Sequence, residues 1–222
     1  MEKAISGAVI RRLPKYLRYL IALHEQGVER ISSQKLSDIT GFTASQIRQD
    51  LNHFGGFGQQ GYGYNVESLR EQITRIIGLH QEHHVAIAGA GHLGVALANS
   101  DLFKENHLHL EALFDVNEAM IGKTIAGAPV LSVDAMEKTI AEKQIDILTI
   151  TTPRLVAQSV ADRAVEAGVS GIWNYAQTDL HLPHGVVLEN VYLNESLFSL
   201  IYYMGNWKDY KGFETGSGAM LQ

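Results

Sequence analysis

The spacing of apolar residues changes character about 80 residues into the chain. Up to that point the apolar side chains stand three or four positions apart, which predicts amphipathic helices. The first helix is expected over residues 12–25, with Pro14 in its first turn, where the missing N–H costs nothing. Ser32 and Ser33 can cap a second, shorter helix. The same spacing predicts another helix over 66–79, which Asn65 can cap and which we interpret as the bridge between two domains.

A third helix is predicted to start at Thr43. Thr43 and Gln46 have the spacing of a capping box, in which each side chain satisfies the other residue's backbone N–H. A short helix, a turn containing Gly41 and a helix with a polar outer face match a helix-turn-helix. The alternative is a small helical oligomerisation domain. Arginine and glutamine can each form two hydrogen bonds to a base edge. The candidate base-contacting residues are Ser45, Gln46, Arg48 and Gln49.

Residues 55–64 are rich in glycine and aromatic residues. The glycines permit a tight hairpin and the aromatic side chains can anchor it, as in a wing that lies along a groove of DNA. A glycine-rich linker is the alternative interpretation of the same segment.

Beyond residue 80, short apolar runs alternate with helical spacing, which is typical of a parallel sheet covered by helices. The predicted strands are 85–88, 108–114, 145–150, 171–174 and 186–188, and the predicted helices are 91–103, 133–143 and 153–167. A last helix, 195–203, is apolar on nearly every face, and such helices are usually buried. Its partner is either a second subunit or its own sheet. Residues 206–222 are polar and are expected to be a flexible tail.

The sequence Gly89-x-Gly91-x-x-Gly94 follows the first of these strands and opens a helix. In a dinucleotide site, Gly89 would allow the tight turn, Gly91 would admit the pyrophosphate, and Gly94 would let the helix pack on the strand. The N–H groups at the start of the helix would then face the phosphates. A merely tight strand–helix turn is the alternative.

Asp115 stands at the end of the next strand, 21 residues beyond Gly94, where an acidic residue accepts hydrogen bonds from the adenine ribose. After Asp115 the next basic residue is Lys123, so a 2′-phosphate has no evident partner and NAD is favoured over NADP. A turn residue at a strand end is the alternative role for Asp115.

Ligands of open parallel sheets bind beyond the carboxyl ends of the strands. Four further polar or aromatic residues follow predicted strands at that edge: Thr151, Thr152, Asn174 and Tyr175. Packing within the loop is an equally good interpretation of Asn174 and Tyr175.

Composition narrows the function classes. The absence of cysteine excludes disulfides, thiolate catalysis and cysteine-ligated metals. The net charge of −6 combines +3 over residues 1–65 with −9 over 66–222, which suggests that the N-terminal region contacts a polyanion, unless the charges are simply scattered. No apolar run reaches the ~20 residues of a membrane span, and no signal-peptide pattern is evident, so a cytoplasmic protein is expected.

His80, His83 and His84 could bind a metal, but solvated histidines are expected because no carboxylate–histidine arrangement is evident.

Several joined motifs closely resemble those of the Rex family of redox-sensing transcriptional repressors. The motifs are Arg12-Leu13-Pro14-x-Tyr16, Ser32-Ser33, Gln46-Ile47-Arg48-Gln49-Asp50-Leu51, Phe54-Gly55-Gly56-Phe57-Gly58, Gly61-Tyr62-Gly63-Tyr64, Gly89-Ala90-Gly91-His92-Leu93-Gly94, Phe114-Asp115 and Trp173-Asn174-Tyr175-Ala176. The resemblance covers residues from about 5 to 205.

The resemblance implies an α/β protein. An N-terminal winged helix-turn-helix domain would occupy residues 1–80, and a Rossmann-like parallel-sheet domain with a C-terminal swapped helix would occupy 81–205. It further implies a homodimer without a catalytic substrate. Such a dimer represses genes from a pseudo-palindromic double-stranded operator, is released by NADH, and also binds NAD⁺.

The same resemblance assigns roles to individual positions. The pyrophosphate would be held by Gly89, Gly91, His92, Leu93 and Gly94, with Val95 and Ala96 continuing that turn. Asp115 would bind the ribose, and Asn174 and Tyr175 would lie near the nicotinamide. Ser45, Gln46, Arg48 and Gln49 would enter the major groove. The wing, 57–64, would approach the minor groove, with candidate contacts at Phe57, Gly58, Gln59, Gln60, Gly61 and Tyr62.

Four positions depart from the family pattern. Gln59 and Gln60 stand where Lys or Arg is usual, so wing–phosphate attraction should be weaker. Ser100 and Tyr192 stand where some members have the Tyr and Asp that respond to the redox state of the nicotinamide.

Two other functions are compatible with parts of the sequence. An NAD-dependent oxidoreductase would need a proton donor and a substrate domain, but the chain has no Tyr-x-x-x-Lys pair and only about 40 residues after Asp179. A CoA-binding module would share the fold, but Asp115 favours a free ribose.

Overall fold

The computed structural model describes residues 5–55, 58–59, 62–105 and 107–206. Contacts divide the chain into two compact units, one reaching to His80 and the other spanning Gln81–Gly205. Among the described helices, none is both long and apolar enough to cross a lipid bilayer.

The N-terminal unit combines four helices with a small sheet in the part of the chain described. Its helices are α1 (Gly7–Glu25), α2 (Ser33–Thr40), α3 (Ala44–Asn52) and α4 (Val66–Ile77). Its strands are β1 (Arg30–Ile31), β2 (Gly58–Gln59) and β3 (Gly63–Asn65), with β3 between the other two and antiparallel to both. α2 and α3 form the helix-turn-helix, and β2 and β3 form the wing.

Side-chain caps set the starts of three of these helices as predicted. Ser32 Oγ accepts from the Lys35 N–H at the start of α2, and Asn65 Oδ1 accepts from the Ser68 N–H at the start of α4. At the predicted capping box the Gln46 N–H donates to the Thr43 hydroxyl at 3.2 Å. α4 is more than a bridge, because Leu69 and Ile73 are buried in the core of the N-terminal unit.

The expected start of α1 is wrong. The helix begins at Gly7, so Pro14 lies in its interior rather than in its first turn. Proline there removes one backbone hydrogen bond. Val9 and Leu13 are nevertheless buried one turn apart, and Pro14 is exposed on the outer face. Burial of the inner stripe thus keeps the helix continuous despite the lost bond.

The second unit is a parallel sheet with helices. Its strands are β4 (His83–Ala88), β5 (Leu108–Asp115), β6 (Thr124–Ile125), β7 (Ala128–Ser132), β8 (Ile147–Ile150), β9 (Gly171–Asn174) and β10 (Val187–Asn190). Its helices are α5 (His92–Ala98), α6 (Leu102–Glu105), α7 (Met136–Lys143, after a 3-10 turn at Val133–Ala135), α8 (Arg154–Glu166) and α9 (Leu193–Gly205).

The strand order is β10-β9-β8-β4-β5-β7-β6, with β6 antiparallel at the edge and the other pairs parallel. From β4 the chain moves outward to β5 and β7, and then crosses back to β8 on the other side of β4. The strand order therefore reverses between β4 and β8. Doubly wound sheets bind nucleotides in the crevice at this reversal.

One local expectation is wrong, and one element is missing from the prediction. The helix expected over 91–103 is broken into α5 and α6, because Asn99 Nδ2 and Ser100 Oγ donate to the Val95 and Leu97 carbonyls and end the first helix. The β6–β7 hairpin was not predicted. Its turn residues Ala126 and Gly127 both have positive φ, but Ala-Gly is not a usual sequence for such a turn.

α9 is not buried within one chain. All its residues are described and none is buried; Leu197, Phe198, Leu200, Ile201, Tyr202 and Met204 are each between 52% and 71% exposed. Packing of α9 on its own sheet is therefore not observed. One face of that sheet carries an apolar cavity of about 320 Å³, here called the sheet groove. Its walls include Val85, Phe103, Leu108, Ile147, Trp173 and Val187.

Candidate functional site

The glycine loop joins β4 to α5 at the carboxyl edge of the parallel sheet. Gly89 has a φ of +104°, and a Cβ there would lie 2.8 Å from Thr151 Oγ1. A Cβ on Gly94 would lie 1.9 Å from the Gly89 carbonyl oxygen, so the first turn of α5 packs directly on the end of β4. Both positions accept only glycine without a shift of the backbone.

Gly91 is free of such contacts. No atom of the described residues lies within 4 Å of a Cβ built there. The loop borders a cavity of about 450 Å³ whose walls include Gly91, His92, Val95 and Ala96, and Leu93 is half-buried in the same turn. Because the first turn of a helix leaves N–H groups without intrahelical acceptors, this space suits an anionic group.

Asp115 holds the glycine loop in place. Its Oδ2 accepts from the Ala90 N–H at 2.6 Å, and its Oδ1 accepts from the Asn117 N–H at 2.8 Å. Each carboxylate oxygen keeps a further lone pair for a ligand hydroxyl. The predicted ribose-binding residue therefore lies beside the loop and also orders it.

Thr151 and Thr152 differ in what their side chains can offer. The Thr151 hydroxyl donates to the Gly89 carbonyl at 2.8 Å, so it braces the loop. Thr152 Oγ1 is buried and has no hydrogen-bond partner among the residues that the structure describes. An unpaired buried hydroxyl at a ligand edge is an available donor and acceptor, which makes Thr152 the better candidate for direct contact.

Asn174 and Tyr175 follow β9 at the same edge. The Asn174 side chain is fully buried and committed to the protein: Nδ2 donates to the Thr178 carbonyl and to Asn190 Oδ1. The Tyr175 ring packs edge-on against Trp173, with 4.9 Å between centroids, and burial raises the pKa of its phenol. Asn174 thus shapes the loop, and Tyr175 is the side chain placed to meet a ligand.

The helix-turn-helix presents its predicted residues as expected. Gly41, in the left-handed conformation, makes the turn between α2 and α3. Ser45, Arg48 and Gln49 are exposed, and Gln46 is half-buried. The Arg48 guanidinium donates to Ser33 Oγ at 2.9 Å, which holds the outer face of α3 to the start of α2.

A residue outside the predicted set, Asp50, anchors the inner face of α3. Asp50 is only 2% exposed and receives two hydrogen bonds from Arg12, at 2.6 and 2.7 Å, and one from the Tyr16 hydroxyl at 2.7 Å. Burial, followed by the bond to Asp50, raises the pKa of Tyr16 far above its usual value, so the phenol stays a donor. These three residues fix α3 against α1.

The wing is described in part. Tyr62 is 71% exposed and its carbonyl accepts from Arg30 at 3.4 Å, whereas Tyr64 is buried in the core. A Cβ on Gly63 would lie 2.6 Å from the Ile31 carbonyl oxygen, so glycine lets β3 approach β1. The predicted contacts Phe57, Gln60 and Gly61 lie outside the described residues, and only the backbone of Gly58 and Gln59 is described.

Comparisons with known proteins agree with both halves of this geometry. Residues 4–52 match a family model described as a putative DNA-binding protein N-terminus, and residues 80–178 match a CoA binding domain. The chain is 53% identical over 207 residues to the redox-sensing transcriptional repressor Rex of Clostridioides difficile (strain 630), covering 93% of this chain and 99% of that protein. The chain belongs to the Rex family.

Solved Rex structures share the whole architecture. RSP, a Rex-family repressor, in complex with β-NAD⁺ and operator DNA, is 47% identical with a TM-score of 0.87, covering 96% of this chain and all of that one. The complex of RSP with β-NADH is 45% identical with a TM-score of 0.87, covering 94% and 98%. The Rossmann-like unit preceded by a winged helix is therefore the Rex fold, and the relatives are named as repressors rather than as enzymes.

One expectation about the histidines is wrong for this Rex protein. His83 Nδ1 lies 2.6 Å from Asp146 Oδ2, and His84 Nδ1 lies 2.9 Å from Glu111 Oε1, so carboxylate–histidine pairs do exist at the amino edge of the sheet. Sequence spacing could not show them because the partners lie on other elements. Among the described residues no group of three or more such side chains could hold a metal ion.

Proposed function

We propose that this protein is an NADH-responsive repressor that binds operator DNA and releases it when NADH occupies the glycine loop. One observation carries the proposal: the Asp115 carboxylate orders a nucleotide-type loop in one unit, while the other unit exposes Arg48 and Gln49 on a helix-turn-helix. Operator DNA is in the nucleoid, so we place the protein in the cytoplasm.

NADH and NAD⁺ would occupy the same crevice. The pyrophosphate would lie over Gly91 and the first turn of α5, and the ribose hydroxyls would donate to Asp115. A 2′-phosphate beside the Asp115 carboxylate would be repelled, which favours NAD(H) over NADP(H). The nicotinamide would reach Tyr175 and Trp173, and an apolar surround disfavours the cationic oxidised ring.

Operator recognition would use two copies of the N-terminal unit. α3 would enter the major groove with Ser45, Gln46, Arg48 and Gln49, and the wing would follow the backbone toward the minor groove. A two-fold dimer would present two such helices, so the operator would be pseudo-palindromic.

The apolar surface of α9 supports this dimer. An exposed helix with seven large, more than half-exposed side chains needs a partner, and the sheet groove offers an apolar surface that α9 of the same chain does not fill. We propose that α9 of a second copy covers it, which would be the swapped arrangement.

Replacing Ile201 with Asp is expected to dissociate the dimer, because the charge would have to be buried in that contact. Light scattering should give a mass near 24.5 kDa, where the unchanged protein gives twice that value. Ser159→Asp adds the same charge on an exposed position of α8 and should leave the dimer intact. A dimer that survives Ile201→Asp would exclude α9 as the interface.

Replacing Arg48 with Ala is expected to weaken operator binding by about tenfold to a hundredfold, which corresponds to one bidentate base contact. Fluorescence anisotropy with operator and with unrelated duplex measures the change, and binding to unrelated duplex should change less. Arg75→Ala removes an equal charge at an exposed position of α4 and serves as the control. Equal losses in the two variants would mean that Arg48 does not read bases.

The function itself is tested by anisotropy with a palindromic operator duplex and each nucleotide. NADH should release the duplex, and NAD⁺ should leave it bound. NADPH should have no effect at the concentration where NADH acts. An operator complex that is indifferent to NADH would contradict the proposal.

A further inference from the structure

Hydrogen bonds link the loop that carries Tyr175 to the start of α9. The first set is made by Asn174, whose side chain donates to the Thr178 carbonyl and accepts from the Ala176 N–H, at 2.9 Å each. The same side chain donates to Asn190 Oδ1 at 2.8 Å, at the last residue of β10. The Asn174 carbonyl accepts from the Val191 N–H at 2.8 Å.

A second link joins the end of the loop to the residue before α9. The Tyr192 hydroxyl donates to Asp179 Oδ1 at 2.5 Å. Tyr192 is the residue before α9, and its carbonyl accepts from the Glu195 N–H in the first turn of that helix. The loop, Tyr192 and the first turn of α9 surround a cavity of about 630 Å³ whose walls include Asp179, Glu195 and Phe198.

The two links differ in their exposure to solvent. Asn174 is fully buried, so its bond to Asn190 between β9 and β10 is costly to break. Asp179 is exposed and Tyr192 is half-buried, so their bond can open at little cost to the fold. A loop that shifts when the nicotinamide meets Tyr175 must therefore either carry Tyr192 with it or break this bond.

We propose that the Tyr192–Asp179 hydrogen bond couples the cofactor-facing loop, residues 175–179, to α9, and that Tyr192 and Asp179 are positioning residues for NADH-dependent release of DNA. This inference rests on the proposed function. Neither residue touches the glycine loop or the DNA-facing side chains, so their contribution is to the coupling between the two binding events and not to either affinity.

The test compares Tyr192→Phe, Asp179→Ala and the double variant, each as the full chain. NADH affinity is measured without and with operator duplex, and the ratio of the two dissociation constants is the coupling factor. Each single variant should keep its NADH affinity without DNA and its unfolding midpoint, while the coupling factor falls by about two- to tenfold. The double variant should fall no further than the single ones, because all three break one bond.

Glu195→Gln is the matched control, since it removes a carboxylate from the same cavity without touching the Tyr192–Asp179 bond. A coupling factor unchanged in both single variants would overturn the inference, as would dissociation of the dimer in either variant, because the bond would then merely hold α9 in place. If the unchanged protein binds NADH equally well with and without operator, the proposed function itself is refuted. Coupling in the unchanged protein that survives in the variants refutes only the role of this bond.

Discussion

Replacing Gly94 with Ala is expected to yield a repressor that binds its operator but no longer responds to NADH. The new Cβ would lie 1.9 Å from the Gly89 carbonyl oxygen and 2.9 Å from Thr151 Oγ1, so α5 has to move away from β4. The N–H groups that would hold the pyrophosphate move with the helix. Loss of one or two charge-assisted hydrogen bonds should weaken NADH binding about 100-fold. Calorimetric titration of NADH, paired with an operator anisotropy assay, measures both effects.

Gly91→Ala separates the ligand effect from strain. A Cβ at Gly91 meets no described atom within 4 Å and the φ of −77° suits alanine, so this variant should unfold like the unchanged protein. Its methyl group would still obstruct the pyrophosphate, so NADH affinity should fall. Gly94→Ala should lose affinity and also unfold about 1–3 kcal/mol more easily, because of overpacking. Unchanged NADH affinity in Gly91→Ala would show that the cofactor does not pass over this residue.

Replacing Asp50 with Asn is expected to destabilise the N-terminal unit by about 3 kcal/mol. Operator binding should be lost under conditions in which that unit is unfolded. Asp50 accepts from Arg12 and Tyr16, and an amide would set its own N–H donors against theirs. This loss of stability should lie at the low end of the range for breaking a buried ion pair, because the Arg12 side chain remains 18% exposed. Circular dichroism during denaturant unfolding follows the loss. NADH affinity should not change, since the glycine loop belongs to the other compact unit.

The triple variant Arg12→Met, Tyr16→Phe, Asp50→Leu identifies the cause. Replacing both charges with apolar side chains of similar size, and removing the Tyr16 hydroxyl that donates to Asp50, leaves no unpaired polar group. Stability should therefore return to within about 1 kcal/mol of the unchanged protein. If Asp50→Asn unfolds like the unchanged protein, the ion pair does not hold α3. If the triple variant is as unstable as Asp50→Asn, packing and not charge explains the loss.

The order of elements could be predicted because local signals agreed with the fold. Caps at Ser32, Thr43 and Asn65 marked helix starts, and the five apolar runs after residue 80 all became strands. The β6–β7 hairpin escaped prediction because Ala126-Gly127 lacks the usual turn chemistry. The interior position of Pro14 was not predicted because the penalty for proline can be seen in the local sequence. The burial that outweighs this penalty depends on packing against distant parts of the chain.

The candidate site could be located from the sequence, but its hydrogen bonds could not. The glycine spacing and Asp115 placed the crevice at the carboxyl edge of the sheet. Asp50 lies on the inner stripe of α3 beside Leu51, yet its partner Arg12 is distant in sequence and is brought close only by packing. The partner of Asn174, Asn190, depends on the pairing of β9 with β10, which no local pattern specifies.

The most direct test of the account is a pair of NADH titrations, one with the free protein and one with its operator complex. If occupancy of the glycine loop drives release of DNA, then operator must weaken NADH binding by the same factor by which NADH weakens operator binding. The account predicts a factor of about 5–150 in both directions. Equal NADH affinities for free and operator-bound protein would contradict it.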